Sequence, residues 1–191
     1  LDKFGYAEKS DIMLRHLARV VALCKKYEFE PVMWSDMFFR MQFGGAYNVA
    51  QGELSQEVLE KIPEEVALCY WNYYTPPAKE STLEHMFAQH ARTKNEIWFA
   101  GGSWSWYGVT PKNYFSTAVT PMQLKYAEKY GVKNVIATAW GDDGAECSVF
   151  AVLPSLLQYA ELCYGEADVD TLEARCMECF GISYADFLKI D

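Results

Sequence analysis

Four tryptophans recur at nearly even intervals, each beside groups that could hold a sugar. Trp34, Trp71, Trp104 and Trp140 lie 37, 33 and 36 positions apart. They open the segments Trp34-Ser35-Asp36, Trp71-Asn72-Tyr73-Tyr74, Trp104-Ser105-Trp106 and Trp140-Gly141-Asp142-Asp143. An indole face suits the apolar C–H face of a pyranose ring, while carboxylates, amides and phenols bind its hydroxyls. A single tryptophan is more often core packing. Four in the same position of a repeat point to a carbohydrate pocket. Asp142 and Asp143 could share a proton or hold a cation, or one could bind ligand while the other caps the next element. Glu146 has a capping reading of the same kind. Gly101-Gly102 either form a plain turn or let backbone and ligand approach closely. GGSWSW lacks the G-x-S-x-G of a nucleophile elbow and no histidine stands at a strand end, which argues against a serine hydrolase.

The elements that must position these residues read as a repeat of strand and helix. Helical spacing of Ile12, Leu17, Val20, Val21 and Cys24 predicts a helix from a Ser10 cap to about Tyr27. Pro31–Met37, Val66–Trp71, Ile97–Gly102 and Asn134–Trp140 are short apolar runs expected as buried strands. Between them, Ser55 caps a short helix stopped by Pro63. Ser81-Thr82-Leu83-Glu84 has the form of a capping box for a helix reaching about Lys94. Thr120-Pro121 is expected to open a helix ended by Gly131. Ser148 to Tyr164 is expected as the fourth following helix. Four strand–helix units imply parallel strands with their sites at the carboxyl ends. A complete eight-fold barrel takes roughly 250 residues. The expected fold is therefore α/β, half of a (β/α)8 TIM-type barrel over residues 1–165, with a short helical extension over 166–191. The rival, an open nucleotide-binding sheet, should carry a glycine-rich phosphate motif after its first strand, and none occurs.

Composition narrows the function further. With 26 acidic against 17 basic residues the net charge is −9, and no basic stripe offers itself to nucleic acid. No apolar run reaches the roughly 18 residues of a membrane span. Cys24, Cys69 and Cys163 lie in apolar stretches and read as small buried hydrophobes. Cys176-Met177-Glu178-Cys179 has C-x-x-C spacing without a second pair for zinc. His16, His85 and His90 read as members of solvated helix faces. Free thiols point to a reducing, cytoplasmic setting. No metal or organic cofactor is implied. The start at Leu1-Asp2-Lys3 reads as a piece of something longer, and half a barrel would leave two sheet edges prone to self-association.

VMWSDMFF, Trp71-Asn72-Tyr73-Tyr74, FAGGSWSW and AWGDDGAE, in this order, resemble glycoside hydrolase family 20, the β-N-acetylhexosaminidases. The resemblance runs from about Leu1 to Tyr164 and would place the four runs on the fifth to eighth barrel strands. It implies hydrolysis of terminal β-linked N-acetylhexosamine by substrate assistance, in which the acetamido oxygen attacks the anomeric carbon. The family's Asp-Glu acid/base pair would lie upstream, since no Asp-Glu dipeptide occurs here. No catalytic residue is therefore assigned within the chain, and alone it should be inactive. Trp34, Trp71, Trp104 or Trp106, and Trp140 would wall the terminal-sugar pocket, with Trp140 as the platform. Asp142 would bind hydroxyls distal to the scissile bond. Tyr73 or Tyr74 would donate to the acetamido oxygen. Asp36 would bind substrate, orient the upstream glutamate or form a structural ion pair. Asn72 stands where an aspartate is expected. The alternative is a non-catalytic carbohydrate-binding or scaffold domain.

Overall fold

Four short strands lie side by side and parallel, in the order β1-β2-β3-β4: Val32–Trp34, Ala67–Trp71, Ile97–Gly102 and Asn134–Thr138. The computed structural model describes residues 5, 8–142, 144, 146–165 and 167–191. Its helices are α1 Lys9–Lys26, α2 Asp36–Gln42, α3 Gln56–Lys61, α4 Glu80–Ala91, α5 Asn113–Lys129, α6 Leu153–Tyr164, α7 Val169–Phe180 and α8 Tyr184–Leu188. The chain is thus an α/β protein with a parallel sheet, as the repeat predicts. No helix among the described residues is long and apolar enough to cross a membrane.

The period-2 alternation of the strands sorts their side chains onto two unlike faces. Met33, Leu68, Tyr70, Ile97, Phe99 and Val135 face the helices. There Phe39, Leu83, Met86, Phe87, Tyr126 and Ala127 form one buried cluster with Tyr70 and Phe99, and Leu17, Val21, Phe38 and Ile62 form a second with Leu68. The opposite face carries Cys69, Trp71, Trp98, Ala100 and Ile136, joined only by Tyr73, Trp104 and Trp106 from the strand ends. No described helix covers it. In α6, Tyr159 also reaches the helix-covered face, against Gly101. The last two helices pack on α6 through Leu157, Leu172, Cys176 and Tyr184.

Several helix boundaries differ from expectation, each for a physical reason. The first strand ends at Trp34 and Asp36-Met37 already belong to α2. Phe38 and Phe39 are both buried, and consecutive residues of a strand would point to opposite faces. Ser10 lies inside α1, which starts at Lys9 without a side-chain cap. Ser81 lies inside α4, because a 3-10 turn at Pro77–Lys79 starts the helical path earlier. The Glu84 carboxylate that would complete the capping box instead pairs with Lys129 of α5. Ser55 does cap α3, accepting the Val58 N–H at 3.3 Å.

The largest correction concerns Pro121, which is interior to α5 rather than at its start. Proline removes a donor to the preceding turn. The carbonyl left without its helical donor is that of Thr117; the hydroxyl bonds nearby go to other carbonyls, Thr117 Oγ1 to Asn113 O at 2.8 Å and Thr120 Oγ1 to Ser116 O at 2.8 Å. The real start of α5 is capped from far away in sequence. The Asp191 carboxylate accepts the N–H groups of Asn113 (2.9 Å) and Tyr114 (2.6 Å), so two free amides meet one anion at the positive end of the helix dipole. At the other end Gly131 takes φ +72 and Val132 N–H closes on Ala127 O at 2.9 Å, the expected left-handed stop.

Candidate functional site

The four tryptophan segments meet at the carboxyl edge of the sheet. Trp34 and Trp71 are the last residues of β1 and β2, and Trp104 and Trp140 stand two residues beyond β3 and β4. Tyr73 is the hub. Its ring stacks on Trp71 at 5.3 Å and 22°, meets Trp106 edge-on at 5.5 Å and approaches Trp140 at 6.3 Å. Trp140 in turn lies 6.2 Å from Trp34. Trp34 and Trp140 remain 40% and 37% exposed, so two indoles face solvent over a floor of buried aromatics.

The floor is rigid. Trp104 Nε1 donates to Tyr73 O at 2.9 Å, Ser105 Oγ donates to Trp140 O at 2.9 Å, and Trp104 N–H is held by Ser116 Oγ at 3.1 Å. Gly102 exists for this packing. A Cβ there would sit 2.6 Å from Trp106 Cη2 and 3.0 Å from Tyr73 Cδ1. One residue earlier, on the other face, a Cβ on Gly101 would lie 2.8 Å from the Tyr159 hydroxyl oxygen and 3.0 Å from Gln123 Oε1. The two glycines admit protein side chains rather than ligand. Burial raises the pKa of the Tyr73 hydroxyl, while hydrogen bonding by the Trp140 and Thr138 side chains acts the other way. The net rise keeps it a neutral donor.

The expected site residues divide. Trp34, Trp71, Tyr73, Trp104, Trp106 and Trp140 form one ring cluster. Tyr74 packs edge-on against Tyr73 at 6.1 Å and against Trp104 at 5.1 Å, and is 56% exposed. Asp36 pairs with Arg40 at 2.9 Å, an i,i+4 contact within α2. Asp142 is exposed and makes no ion pair with a described residue. Asp143 lies outside the described residues. Glu146 is exposed, and Ser148 rather than Glu146 caps the turn that leads into α6. Asn72 is wholly buried: its side-chain nitrogen lies within hydrogen-bond distance of Asn48 Oδ1, Tyr70 Oη and Thr75 Oγ1, which share its two N–H donors, and its Oδ1 accepts the Thr75 N–H. It organises the strand end and presents no side-chain atom to a ligand.

A buried polar chain beneath the site was not anticipated. His90, expected on a solvated face, is fully buried between the rings of Phe39 (4.4 Å) and Tyr70 (4.5 Å). Its Nδ1 donates to Met86 O at 2.7 Å, which leaves Nε2 to accept from Ser35 Oγ at 2.7 Å. Ser35 then accepts from the Tyr47 hydroxyl at 3.2 Å, and the Tyr47 ring lies 4.8 Å from Trp71. The signal was present: Leu83, Met86, Phe87 and His90 follow i, i+3, i+4, i+7, one apolar helix face. Desolvation lowers the His90 pKa to about 4.

Of the cysteines, Cys69 is buried as expected, Cys24 half-buried and Cys163 exposed at the end of α6. Cys176 faces the core and Cys179 solvent, so one helix turn sends the C-x-x-C thiols to different environments. No cluster of three or more metal-ligating side chains occurs among the described residues.

No protein-family model matches this sequence, and no curated protein does.

Proposed function

We propose that this chain is the carboxyl-terminal half of a (β/α)8 glycosidase barrel whose aromatic face binds a terminal β-linked N-acetylhexosamine, as its resemblance to glycoside hydrolase family 20 implies. The winding supports the barrel. Strand order follows chain order, helices α1 to α5 pack in the two clusters on one face, and α6 reaches that same face through Tyr159 against Gly101. A doubly wound sheet would reverse its order and cover both faces.

The single observation that carries the sugar reading is the continuous ring cluster at the four strand ends. Trp34 and Trp140 offer exposed indole faces to the C–H bonds of a pyranose. Tyr73, kept protonated by burial, supplies a hydroxyl donor for the acetamido oxygen. Asp142, exposed beyond Trp140, supplies the acceptor for ring hydroxyls. Tyr73 rather than Tyr74 is assigned the donor role because it is Tyr73 whose ring meets Trp140.

The chain's own residues bind and orient the sugar; general acid/base chemistry would come from a carboxylate pair outside it. The ion pair of Asp36 with Arg40 favours a second reading, a carbohydrate-binding domain without hydrolytic activity. Hydrolysis of a chromogenic β-N-acetylglucosaminide by the isolated chain, with Asp142→Ala as control, tests the first reading. No turnover is expected, together with tryptophan quenching by N-acetylglucosamine that Trp140→Ala abolishes. Turnover lost in Asp142→Ala would place the catalytic carboxylates in this chain and overturn the division of labour. Absence of quenching would overturn the sugar site.

A further inference from the structure

The helical extension reaches back to the floor of the pocket. From the end of α6 the chain turns through α7 and α8, and both are fastened on the way. Glu173 Oε2 accepts the Tyr184 N–H at 2.9 Å, Ser183 Oγ accepts the Asp186 N–H at 3.4 Å, and Tyr184 is buried with Leu172 and Cys176 against Leu157. Three residues past α8, the Asp191 carboxylate meets the first two N–H groups of α5. We propose that Asp191 is a positioning residue for the pocket: by fixing the first turn of α5 it holds Trp104, and through Trp104 it holds Tyr73, the hydroxyl donor assigned to the acetamido oxygen. This rests on the pocket reading above and extends the support of the site to residues well outside the four strand ends.

Three observations carry the path. First, the clamps that α5 places on Trp104 lie in the turn that Asp191 caps. Trp104 N–H donates to Ser116 Oγ at 3.1 Å, Lys112 N–H donates to Trp104 O at 3.0 Å, and the Phe115 ring lies 5.0 Å from the indole. Lys112, Phe115 and Ser116 directly flank Asn113 and Tyr114. Second, the turn has no local cap. Lys112 precedes the helix without a capping side chain, and the free N–H groups of a helix start need partners from outside it. Asp191 accepts two of them, with a charge that suits the positive end of the helix dipole. Third, Trp104 passes the constraint on. Its Nε1 donates to Tyr73 O at 2.9 Å, and its ring packs at 5.0 Å on Trp106, which meets Tyr73 edge-on at 5.5 Å. A frayed first turn releases the indole, and a released indole lets the backbone and ring of Tyr73 shift together. A tail that merely closed a helix end would have an effect that stopped at Asn113 and Tyr114.

The test compares two cap deletions in the whole chain. Asp191→Ala removes the cap of α5, and Ser55→Ala removes the cap of α3, where Ser55 Oγ accepts the Val58 N–H; caps of this kind contribute similar stability. The readouts are native-state amide exchange and titration with N-acetylglucosamine followed by tryptophan emission. Asp191→Ala is expected to speed exchange of the Trp104 amide about fivefold and to weaken the sugar about two- to fivefold, the local opening that loss of one cap allows. Asp191→Asn, which keeps one acceptor oxygen, is expected to fall between wild type and Asp191→Ala. Ser55→Ala is expected to lower Tm to a similar extent and to change neither readout. Equal acceleration at Trp104 by both deletions, or by neither, would overturn the positioning role. Faster Trp104 exchange in Asp191→Ala with unchanged sugar affinity would overturn it too, because the constraint would then end before the pocket. A wild type that binds no N-acetylglucosamine would sink the pocket reading alone; the hold of Asp191 on the rings would still stand or fall on Trp104 exchange and on near-ultraviolet circular dichroism.

Discussion

Acidification should destabilise this protein through one side chain. His90 is enclosed by Phe39 and Tyr70 and holds its two ring nitrogens between Met86 O and Ser35 Oγ. Charging it requires burying a cation and turning Nε2 from acceptor to donor, against a serine hydroxyl already oriented by Tyr47. Its pKa falls from 6.5 to about 4. The unfolded chain therefore takes up this proton first as the pH drops. Stability from His90 is complete above about pH 6.5, declines as pH falls, and levels off below about 4. A shift of that size at 1.36 kcal/mol per unit amounts to about 3 kcal/mol, a large share of the 5–15 kcal/mol that holds a typical domain folded. Urea denaturation at half-unit steps from pH 7.5 to 4, for the wild type and for His90→Gln, isolates the contribution. The variant is expected to be weaker at pH 7 but to lose the slope between 6.5 and 4. Parallel profiles for the two proteins would refute the burial argument, as would a His90 imidazole resonance that titrates near 6.5.

Other consequences can be checked separately. Gly102→Ala should force Trp106 and Tyr73 from their positions and lower stability by about 1–3 kcal/mol, the cost of overpacking a filled site; a lower Tm with altered tryptophan emission is the expected readout. Asp191→Ala should remove both capping bonds at α5 and cost about 1 kcal/mol, with faster hydrogen exchange at the Asn113 and Tyr114 amides. Tyr73→Phe should keep the fold yet weaken N-acetylglucosamine about two- to tenfold, the worth of one neutral hydrogen bond, while glucose, which lacks the acetamido group, should be unaffected. The outer edges of β1 and β4 have no partner strand among the described residues; light scattering should report a mass above that of one chain, and a clean monomer would count against half a barrel.

Much of the architecture was written in local patterns. The apolar runs around Trp71 and Ile97–Gly102 needed only their length and flanking breaks to be read as strands. Ser55 and Gly131 announced their helix ends because a cap is chemistry of neighbouring residues. The failures came where a distant contact overrode a local cue. Pro121 resembles a helix start, but α5 begins eight residues earlier, at Asn113, where Asp191 from the far end of the sequence supplies the cap. Ser81 and Glu84 have the spacing of a capping box, yet Glu84 is claimed by Lys129 of the next helix. At the site, the tryptophan period located the ring cluster. It could not say which of two adjacent tyrosines turns inward. That choice is made by Trp106, Thr138 and Trp140, which arrive from β3 and β4. Asn72 stands where the resemblance expects an aspartate, and Tyr70, Asn48 and Thr75 use its side chain fully.

At Gly101 and Gly102 the backbone of β3 carries no side chain toward either face of the sheet. On one side of the backbone stand Tyr159 and Gln123, on the other Trp106 and Tyr73, with no side-chain layer between. A displacement of α6 is therefore transmitted to the ring cluster across a single thickness of peptide, without a chain of intermediates. Mutations on the remote helix should trade energetically with mutations in the pocket. Tyr159→Phe and Trp106→Phe should prove non-additive in a double-mutant cycle. The scaffold and the binding surface share a wall here, and neither can drift in sequence independently of the other.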